Sequence, residues 1–269
     1  MLYPSDNPNQ LKCQGFIIDV VDGHGCNCQH QNDQTHVHDV VPPITLVQPY
    51  KSVEDIKDAI WNAILGGRKE HDVSDEHYKF FLGIPWLSRR FLDRHFENAQ
   101  LWVIDRFQQC NRMVDIAGRY LPYYFSNMTP DFNIPTPLAE GDPEITKIFS
   151  DIIGRLGSRK LFTTWRGYIG MGPPNIRQGD LIGILSGCSL PVILRPCGER
   201  HENMFEIVGE CYLHSIMNGE ALEWLDKGDG QGLAMETITI CYFCSPFSSV
   251  RKEFSFFHSF DLRLLFSTF

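Results

Sequence analysis

The sequence lacks any apolar run long enough to cross a membrane. No stretch approaches the roughly 20 consecutive apolar residues that a transmembrane helix needs. The N-terminal residues, MLYPSDNPNQLK, have neither a basic start nor an apolar segment, so they do not predict a secretory signal. We therefore expect a cytoplasmic protein with no membrane partner.

Positive charge is scarce and scattered. The chain has 24 Lys and Arg residues against 33 Asp and Glu residues, which gives a formal net charge of -9. Basic residues occur singly or in pairs, such as Arg89-Arg90 and Arg251-Lys252, and form no basic patch in the sequence. Because such a chain repels phosphate groups, we expect no nucleic-acid partner.

The cysteine spacing fits no recognisable disulfide framework. There are nine, an odd number, and their spacing predicts reduced thiols of an intracellular protein. Hydrophobic residues at 43% and charged residues at 21% are ordinary for a globular protein, and 269 residues can bury a substantial core in one large domain or two small ones.

Residues 1–50 predict a strand, a loop and a linker in that order. The apolar run LKCQGFIIDVV at residues 11–21 predicts the strand. Residues 22–39 are polar and rich in His and Cys, which favours a loop. Residues 40–50 contain three prolines and predict an extended linker.

Residues 51–157 have a helical pattern. Ser52 is a suitable N-cap, apolar residues follow at helical spacing, and Gly66-Gly67 mark the end of the first helix. Pro122 ends a later helix, and Asp142 caps the last one. These later helices are predicted over residues 74–82, 88–120 and 142–157.

Residues 158–240 change to short strands separated by glycine turns. This pattern is typical of a small, mostly antiparallel barrel or sandwich. The predicted fold class is therefore α+β, a helical region followed by the β-rich unit. The strands are predicted over residues 161–164, 168–171, 181–185, 190–195, 205–213 and 235–240.

Residues 241–269 form a tail of different composition. The tail contains eight of the 19 Phe residues, with Ser between them and no periodicity, which predicts disorder. Translation of an unspliced intron would produce such a segment, so a gene-model artefact is one hypothesis. The alternative is a hydrophobic tail that packs on the barrel or on a partner.

An ordered set of motifs carries a family resemblance. They are RKLFTT at residues 159–164, GYIGMGP at 167–173, GDLI at 179–182, PVILR at 191–195 and FEIVGECYLHSIMNGEA at 205–221. Together they resemble the C-terminal region of fungal heterokaryon-incompatibility (HET) proteins. Ser215 departs from the family pattern, which has glycine there. GFIID at residues 15–19 and Ala59-Ile60-Trp61 are similar to family elements upstream.

The motif residues are expected to be structural rather than catalytic. Their glycines suit turns or close strand contacts, and Asp180 can bond back to its turn. The set comprises Phe162, Thr163, Gly167, Tyr168, Gly170, Gly172, Pro173, Gly179, Asp180, Pro191, Leu194, Arg195, Gly209, Glu210, Tyr212, His214, Met217, Gly219 and Glu220.

The resemblance implies a role as well as a fold. Full-length family members carry an N-terminal HET domain, distantly similar to TIR-type folds, that triggers cell death when fungal individuals of different genotype fuse. Because Met1 lies just upstream of the GFIID element, we expect this chain to lack that domain. The expectation is a non-enzymatic regulatory or partner-binding module in self/non-self recognition. Its partner would be another protein, a HET-domain protein among them, and it would need no cofactor.

Three segments contain residue types that are also found in catalytic or cofactor-binding sites. The glycines at 167, 170 and 172 lie in a strand pattern followed by Pro173-Pro174, whereas a phosphate-binding loop opens a helix. Cys211 and His214, beside Glu210, have the residue types of a thiol nucleophile and its base, but His214 lies past the predicted strand.

The remaining alternative is a metal-dependent hydrolase using the His/Cys-rich loop. Thiolates and imidazoles are good zinc ligands, yet C-x-C with H-x-H is not a common structural zinc spacing, and we predict no metal. The residues concerned are His24, Cys26, Cys28, His30, His36 and His38. A metal-dependent or thiol hydrolase that uses this loop is the alternative to the non-enzymatic module.

Overall fold

The computed structural model describes residues 2–4, 10–25, 49–67, 106–107, 109–124, 156, 159–197, 203–227 and 233–241. The helices expected at 74–82 and 142–157, apart from Leu156, and the tail beyond Cys241 lie outside these residues. Within them, α1 is Val53–Leu65, α2 is Glu220–Lys227, and Leu121–Tyr124 is a 3-10 helix. The described structure is mostly sheet.

Most of the strands lie where the alternating pattern predicted them. The strand expected over 205–213 is divided at Cys211, and the strands Leu2–Pro4, Asp115–Ile116 and Arg119–Tyr120 were not predicted. Residues 22–24, which were expected in a loop, belong to the strand that begins at Gln10. The strands are β1 Leu2–Pro4, β2 Gln10–His24, β3 Asp115–Ile116, β4 Arg119–Tyr120, β5 Lys160–Thr164, β6 Ile169–Gly172, β7 Leu181–Leu185, β8 Val192–Pro196, β9 Met204–Glu210, β10 Tyr212–Leu213 and β11 Glu236–Cys241.

The chain divides into two compact units, which are described separately. The first unit comprises Met1–Val20, Gly179–Cys211 and Ile216–Phe269. The second unit comprises Val21–Gln178 and Tyr212–Ser215.

The strands of the first unit are paired in a circuit, which makes the unit barrel-like. β2 pairs with β11 and with β7, β7 pairs with β8, and β8 pairs with β9, all antiparallel. β9 and β11 complete the circuit as a parallel pair, in which Ile240 lies opposite Phe205. The other pairs of the circuit are antiparallel, as expected for a mostly antiparallel sheet, and the parallel pair was not predicted.

The core of the first unit is lined by alternate residues of these strands. Cys13, Leu185, Leu194 and Ile238 are each at most 1% exposed. Burial of apolar surface stabilises a fold by about 25 cal/mol per Å², so each fully buried Leu or Ile of this core contributes about 1.5–3 kcal/mol. A β-bulge between Ile17 and Asp19 locally increases the twist of β2.

The second unit contains α1 and a short sheet in the order β10, β6, β5 and the end of β2. The predicted start and end of α1 are confirmed. Ser52 and Asp55 form a capping box, and Gly66 ends the helix in the left-handed conformation, with φ 65°. Ile56, Ala59, Ile60, Ala63 and Ile64 form the buried face of this helix.

The helix predicted over residues 88–120 is wrong at its C-terminal end. Asp115–Ile116 pairs with Arg119–Tyr120 as a two-stranded hairpin. Ala117 and Gly118 have φ of 54° and 77°, values that suit the tight turn of a hairpin and not a helix. The carboxylate of Asp115 accepts a hydrogen bond from the Gly118 N–H at 2.8 Å, so local turn chemistry outweighs the helical spacing of apolar residues.

Helix α2 was not predicted. Gly219 precedes it with φ 95°, Glu220 and Glu223 lie in its first turn, and Ala221 is its buried anchor. Among the residues that the structure describes, no helix is both long and apolar enough to span a bilayer.

Candidate interaction surface

The β7–β8 pair places two motif residues opposite each other. Leu181 lies opposite Leu194 in the antiparallel register, so the residues before and after them, Asp180 and Arg195, are also neighbours. Arg195 donates from Nε and Nη2 to the two carboxylate oxygens of Asp180, both at 2.8 Å. The Asp180 side chain is 3% exposed and that of Arg195 18%. From its sequence position Asp180 was expected to bond to the backbone of its turn, and this bidentate ion pair was not predicted.

A second group of motif residues packs where β6 lies between β5 and β10. Phe162 is fully buried, and Gly170 lies against its ring. A Cβ on Gly170 would be 2.6 Å from the carbonyl oxygen of Tyr212 and would also overlap Phe162. A glycine is therefore favoured here by the close approach of two strands.

Three residues with aromatic side chains, Tyr50, Tyr212 and His214, lie near Ile169 of β6. The Tyr50 hydroxyl accepts a hydrogen bond from the Ile169 N–H at 3.1 Å, and the backbone N–H of His214 donates to the Ile169 carbonyl at 2.9 Å. The Tyr212 hydroxyl lies 3.1 Å from Nδ1 of His214. Burial raises the pKa of Tyr50 above its ordinary value, so the phenol stays neutral and holds β6 in place.

The turn between β5 and β6, residues 165–168, is held by several hydrogen bonds. The Gly167 N–H donates to the Thr164 carbonyl at 2.8 Å, and the Thr164 N–H donates to the Tyr168 carbonyl at 3.0 Å. The Tyr168 N–H also donates to the Thr164 hydroxyl at 3.1 Å. Gly167 has φ 83°, the left-handed conformation that closes such loops. Trp165 lies in this loop with 53% of its surface exposed.

The other motif residues are also parts of the framework. Gly179, Gly209 and Gly219 have φ of 86°, 153° and 95°, which are conformations that favour glycine. The Pro191 carbonyl accepts from the Cys211 N–H at 2.9 Å. Thr163, Gly172 and Leu194 are buried, and Pro173, Glu210, Met217 and Glu220 are half-buried.

Three of the described thiols, those of Cys13, Cys188 and Cys211, do not have the properties of a reactive nucleophile. Cys211 is 1% exposed, which does not suit a catalytic thiol. Burial raises the pKa of Cys13 to about 11 and also raises that of Cys188, so neither forms a thiolate near neutral pH. The expectation that all cysteines are reduced is wrong for Cys110, which is disulfide-bonded.

The described residues hold no group of three or more His, Cys, Asp or Glu that could bind a metal ion. Of the six His and Cys residues considered as zinc ligands, only His24 is among the described residues, and its Nδ1 lies 2.7 Å from the Gly25 carbonyl. The loop residues Cys26, Cys28, His30, His36 and His38 lie outside the described part of the chain.

Exposed aromatic side chains are present that the sequence did not single out. Trp165 at the β5–β6 turn is 53% exposed, and Tyr120 and Tyr123 beside the β3–β4 hairpin are 52% and 45% exposed. The available signal was an aromatic residue in a turn, since Trp165 is followed by Arg166-Gly167. A large aromatic at a turn does not contribute to strand pairing and can contact another molecule.

Comparison with known proteins identifies relatives of this segment. Residues 139–229 match the model of the Het-6 beta-barrel domain. A stretch of 71 residues is 31% identical to heterokaryon incompatibility protein 6, OR allele, of Neurospora crassa. This stretch covers 26% of the present chain and 10% of the relative, so the chain matches about a tenth of that protein's length. No solved structure matches the chain.

The motifs over residues 159–221 lie inside the matched range, and β7, β8 and β9 of that range belong to the barrel-like circuit of the first unit. The resemblance to the C-terminal region of heterokaryon-incompatibility proteins is therefore confirmed, and residues 139–229 are similar to a Het-6 beta-barrel domain.

Proposed function

We propose that this chain is a non-catalytic interaction module, related to heterokaryon-incompatibility proteins, that binds a protein partner through the tip of the β5–β6 hairpin. The partner is a HET-domain protein of the same fungus, and binding regulates its part in self/non-self recognition in the cytoplasm. The exposed side chain of Trp165 on a rigid loop is the observation that carries this proposal.

The rigidity of the loop matters for binding. Three hydrogen bonds and the left-handed Gly167 fix the backbone around Trp165 before any partner arrives. A loop whose backbone is already held by hydrogen bonds loses less conformational entropy on binding, so more of the area that it buries contributes to affinity. Tryptophan is also among the residue types that dominate the binding free energy of protein interfaces.

The position of the motif residues supports the same function. Asp180, Arg195, Phe162 and Gly170 are used in ion pairing and close packing. A binding function then falls to side chains at the surface of the matched segment. Of the described residues between 159 and 227, the large hydrophobic side chains more than half exposed are Trp165 and Leu222.

The test measures the affinity of the purified full chain for a purified HET-domain protein of the same fungus by biolayer interferometry. Trp165→Ala should weaken binding by at least about tenfold, as expected for an anchor residue of an interface. Leu222→Ala is the matched control, because Leu222 is 51% exposed and lies in α2. This control should change the affinity by less than about twofold.

Two results would contradict the proposal. The unsubstituted chain fails to bind any HET-domain protein of the fungus, or Trp165→Ala and Leu222→Ala weaken binding equally. The unfolding temperature of each variant is measured alongside, so that a loss of binding caused by unfolding is recognised.

A further inference from the structure

The β3–β4 hairpin and the 3-10 helix after it present a second exposed surface. We call it the arginine–tyrosine surface and define it by Arg119, Tyr120 and Tyr123. The guanidinium carbon of Arg119 lies 5.0 Å from the centre of the Tyr123 ring, a distance typical of a cation–π contact. Tyr120 is 52% and Tyr123 45% exposed, so both rings offer area to another molecule.

This surface is built on a buried base. Val114, Ile116, Leu121 and Tyr124 are each at most 2% exposed. The Leu121 N–H donates to the Val114 carbonyl at 3.2 Å, and the Tyr124 hydroxyl donates to the Ile116 carbonyl. Because these buried residues lie before, between and after the exposed ones, they hold the backbone that carries Arg119, Tyr120 and Tyr123 in place.

The charge of the surface differs from that of the whole chain. The formal net charge of the protein is -9, yet residues 109–124 carry two arginines, Arg112 and Arg119, and a single carboxylate, Asp115. That carboxylate is bonded to the Gly118 N–H at 2.8 Å within the hairpin. Arg112 and Arg119 are both exposed. An exposed cation beside aromatic faces is complementary to carboxylates flanked by apolar side chains.

We propose that the arginine–tyrosine surface binds an acidic peptide segment of a partner protein. The Arg119 guanidinium pairs with a carboxylate of the segment, while the rings of Tyr120 and Tyr123 cover its apolar side chains. The proposal extends the proposed function to a second surface and a defined class of ligand. It does not depend on Trp165 or on a HET-domain protein.

The test uses fluorescence anisotropy with the full chain and two labelled ten-residue peptides, one of alternating Glu and Leu and one of alternating Lys and Leu. We expect the Glu/Leu peptide to bind and the Lys/Leu peptide to bind at least about tenfold more weakly. Raising the salt concentration should weaken binding of the Glu/Leu peptide, since exposed charge pairs are screened.

Matched variants test whether the Glu/Leu peptide binds at the arginine–tyrosine surface. Arg119→Glu and Tyr123→Ala should each weaken binding of the Glu/Leu peptide by about tenfold or more, and Arg119→Lys, which retains the charge, should weaken it less. Arg177→Glu is the control, since Arg177 is an exposed arginine outside this surface. It should change the affinity by less than about twofold, and so should Trp165→Ala.

The proposal is overturned if the Glu/Leu peptide does not bind, or if Arg119→Glu and Arg177→Glu weaken binding equally. It is also overturned if sedimentation shows a dimer of this chain that Arg119→Glu dissociates, because the occupant is then a second copy. Loss of HET-protein binding in Trp165→Ala with peptide binding retained separates the two proposals, since each can fail while the other stands.

Discussion

Asp180 and Arg195 form a bidentate ion pair with both N–O distances at 2.8 Å, across the antiparallel strands β7 and β8. The Asp180 side chain is almost fully buried, so its charge depends on Arg195 for compensation. The pair links the GDLI and PVILR motifs, which are separated in sequence by the rest of β7 and the turn after it. Two motifs of the family thus contribute to one contact in the first unit.

Removing the charge of Asp180 should destabilise the protein strongly. Asp180→Asn leaves the Arg195 guanidinium mostly buried without its counter-ion, at a cost of about 3–5 kcal/mol in the free energy of unfolding. Urea unfolding of the full chain measures this change. Arg177→Gln, at an exposed arginine, is the control and should lie within about 0.5 kcal/mol of the parent. A change below about 1 kcal/mol for Asp180→Asn would show that the pair is dispensable.

Adding one methyl group at Gly170 should be more harmful than adding it at Gly172. A Cβ at Gly170 would lie 2.6 Å from the Tyr212 carbonyl oxygen, which is backbone and cannot rotate away. A Cβ at Gly172 would have its nearest contact at 3.1 Å, with the side chain of Ile176. We expect Gly170→Ala to lose about 1–3 kcal/mol of unfolding free energy and Gly172→Ala less. Equal losses in thermal or urea unfolding would contradict the close approach of β6 and β10.

The capping box of α1 should make stability depend on pH. Hydrogen bonds from the backbone N–H of Lys51, then from Ser52, lower the pKa of Asp55 below its ordinary value of 3.8. Because the folded pKa is the lower one, the stabilisation is present above about pH 4 and is lost as the pH falls through the folded value. Asp55→Asn should therefore be destabilised relative to the parent at pH 6, and the difference should shrink below pH 4.

Glu54→Gln is the control for this pH dependence. Glu54 lies in the same first turn, and its carboxylate contacts Lys57 at 3.4 Å on an exposed surface. Urea unfolding between pH 3 and pH 7 compares the two variants. If Glu54→Gln shows the same pH-dependent difference as Asp55→Asn, the effect belongs to helix charge in general and not to the capping box.

Strand β11 should be required for the first unit to fold. It pairs with both β2 and β9, and it buries Ile238 and Ile240. A chain ending at residue 233 would lose both isoleucines, at about 1.5–3 kcal/mol each, and would leave two strand edges unpaired. A chain ending at Cys241 keeps β11. Circular dichroism on heating should show cooperative unfolding for the chain ending at Cys241 and none for the shorter one.

The sequence predicted the parts of the fold that local chemistry determines. Ser52 and Gly66 mark the observed ends of α1, and the predicted strand at residues 181–185 matches β7. These elements depend on capping groups or on alternation within a few residues, which the sequence displays directly. The order of motifs also sufficed to indicate the family.

What the sequence did not predict depends on contacts distant along the chain. The parallel pairing of Phe205 with Ile240 and the ion pair of Asp180 with Arg195 require knowledge of which strands are neighbours. The hairpin at Asp115 was not predicted for another reason. Apolar residues at helical spacing favoured a helix there, although Ala117-Gly118 form a turn. Trp165 was missed because alternation does not distinguish a buried aromatic residue from one displayed at a turn.

The range that matches the family model does not include all the strands of the first unit. Residues 139–229 include β7, β8 and β9, whereas the circuit of the first unit is completed by β2 and β11, which lie outside that range. Residues 10–20 and 236–241 are therefore part of the same folded unit even though the family model does not include them.

Site-specific photo-crosslinking tests the central claim most directly. Benzoylphenylalanine is placed at position 165 or, as control, at position 222 of the full chain, and the chain is irradiated in fungal cells that express a tagged HET-domain protein. The account predicts an adduct with the tagged protein from position 165 and none from position 222. Absence of an adduct at position 165, or equal yields from both positions, would contradict the claim that the hairpin tip binds a HET-domain partner.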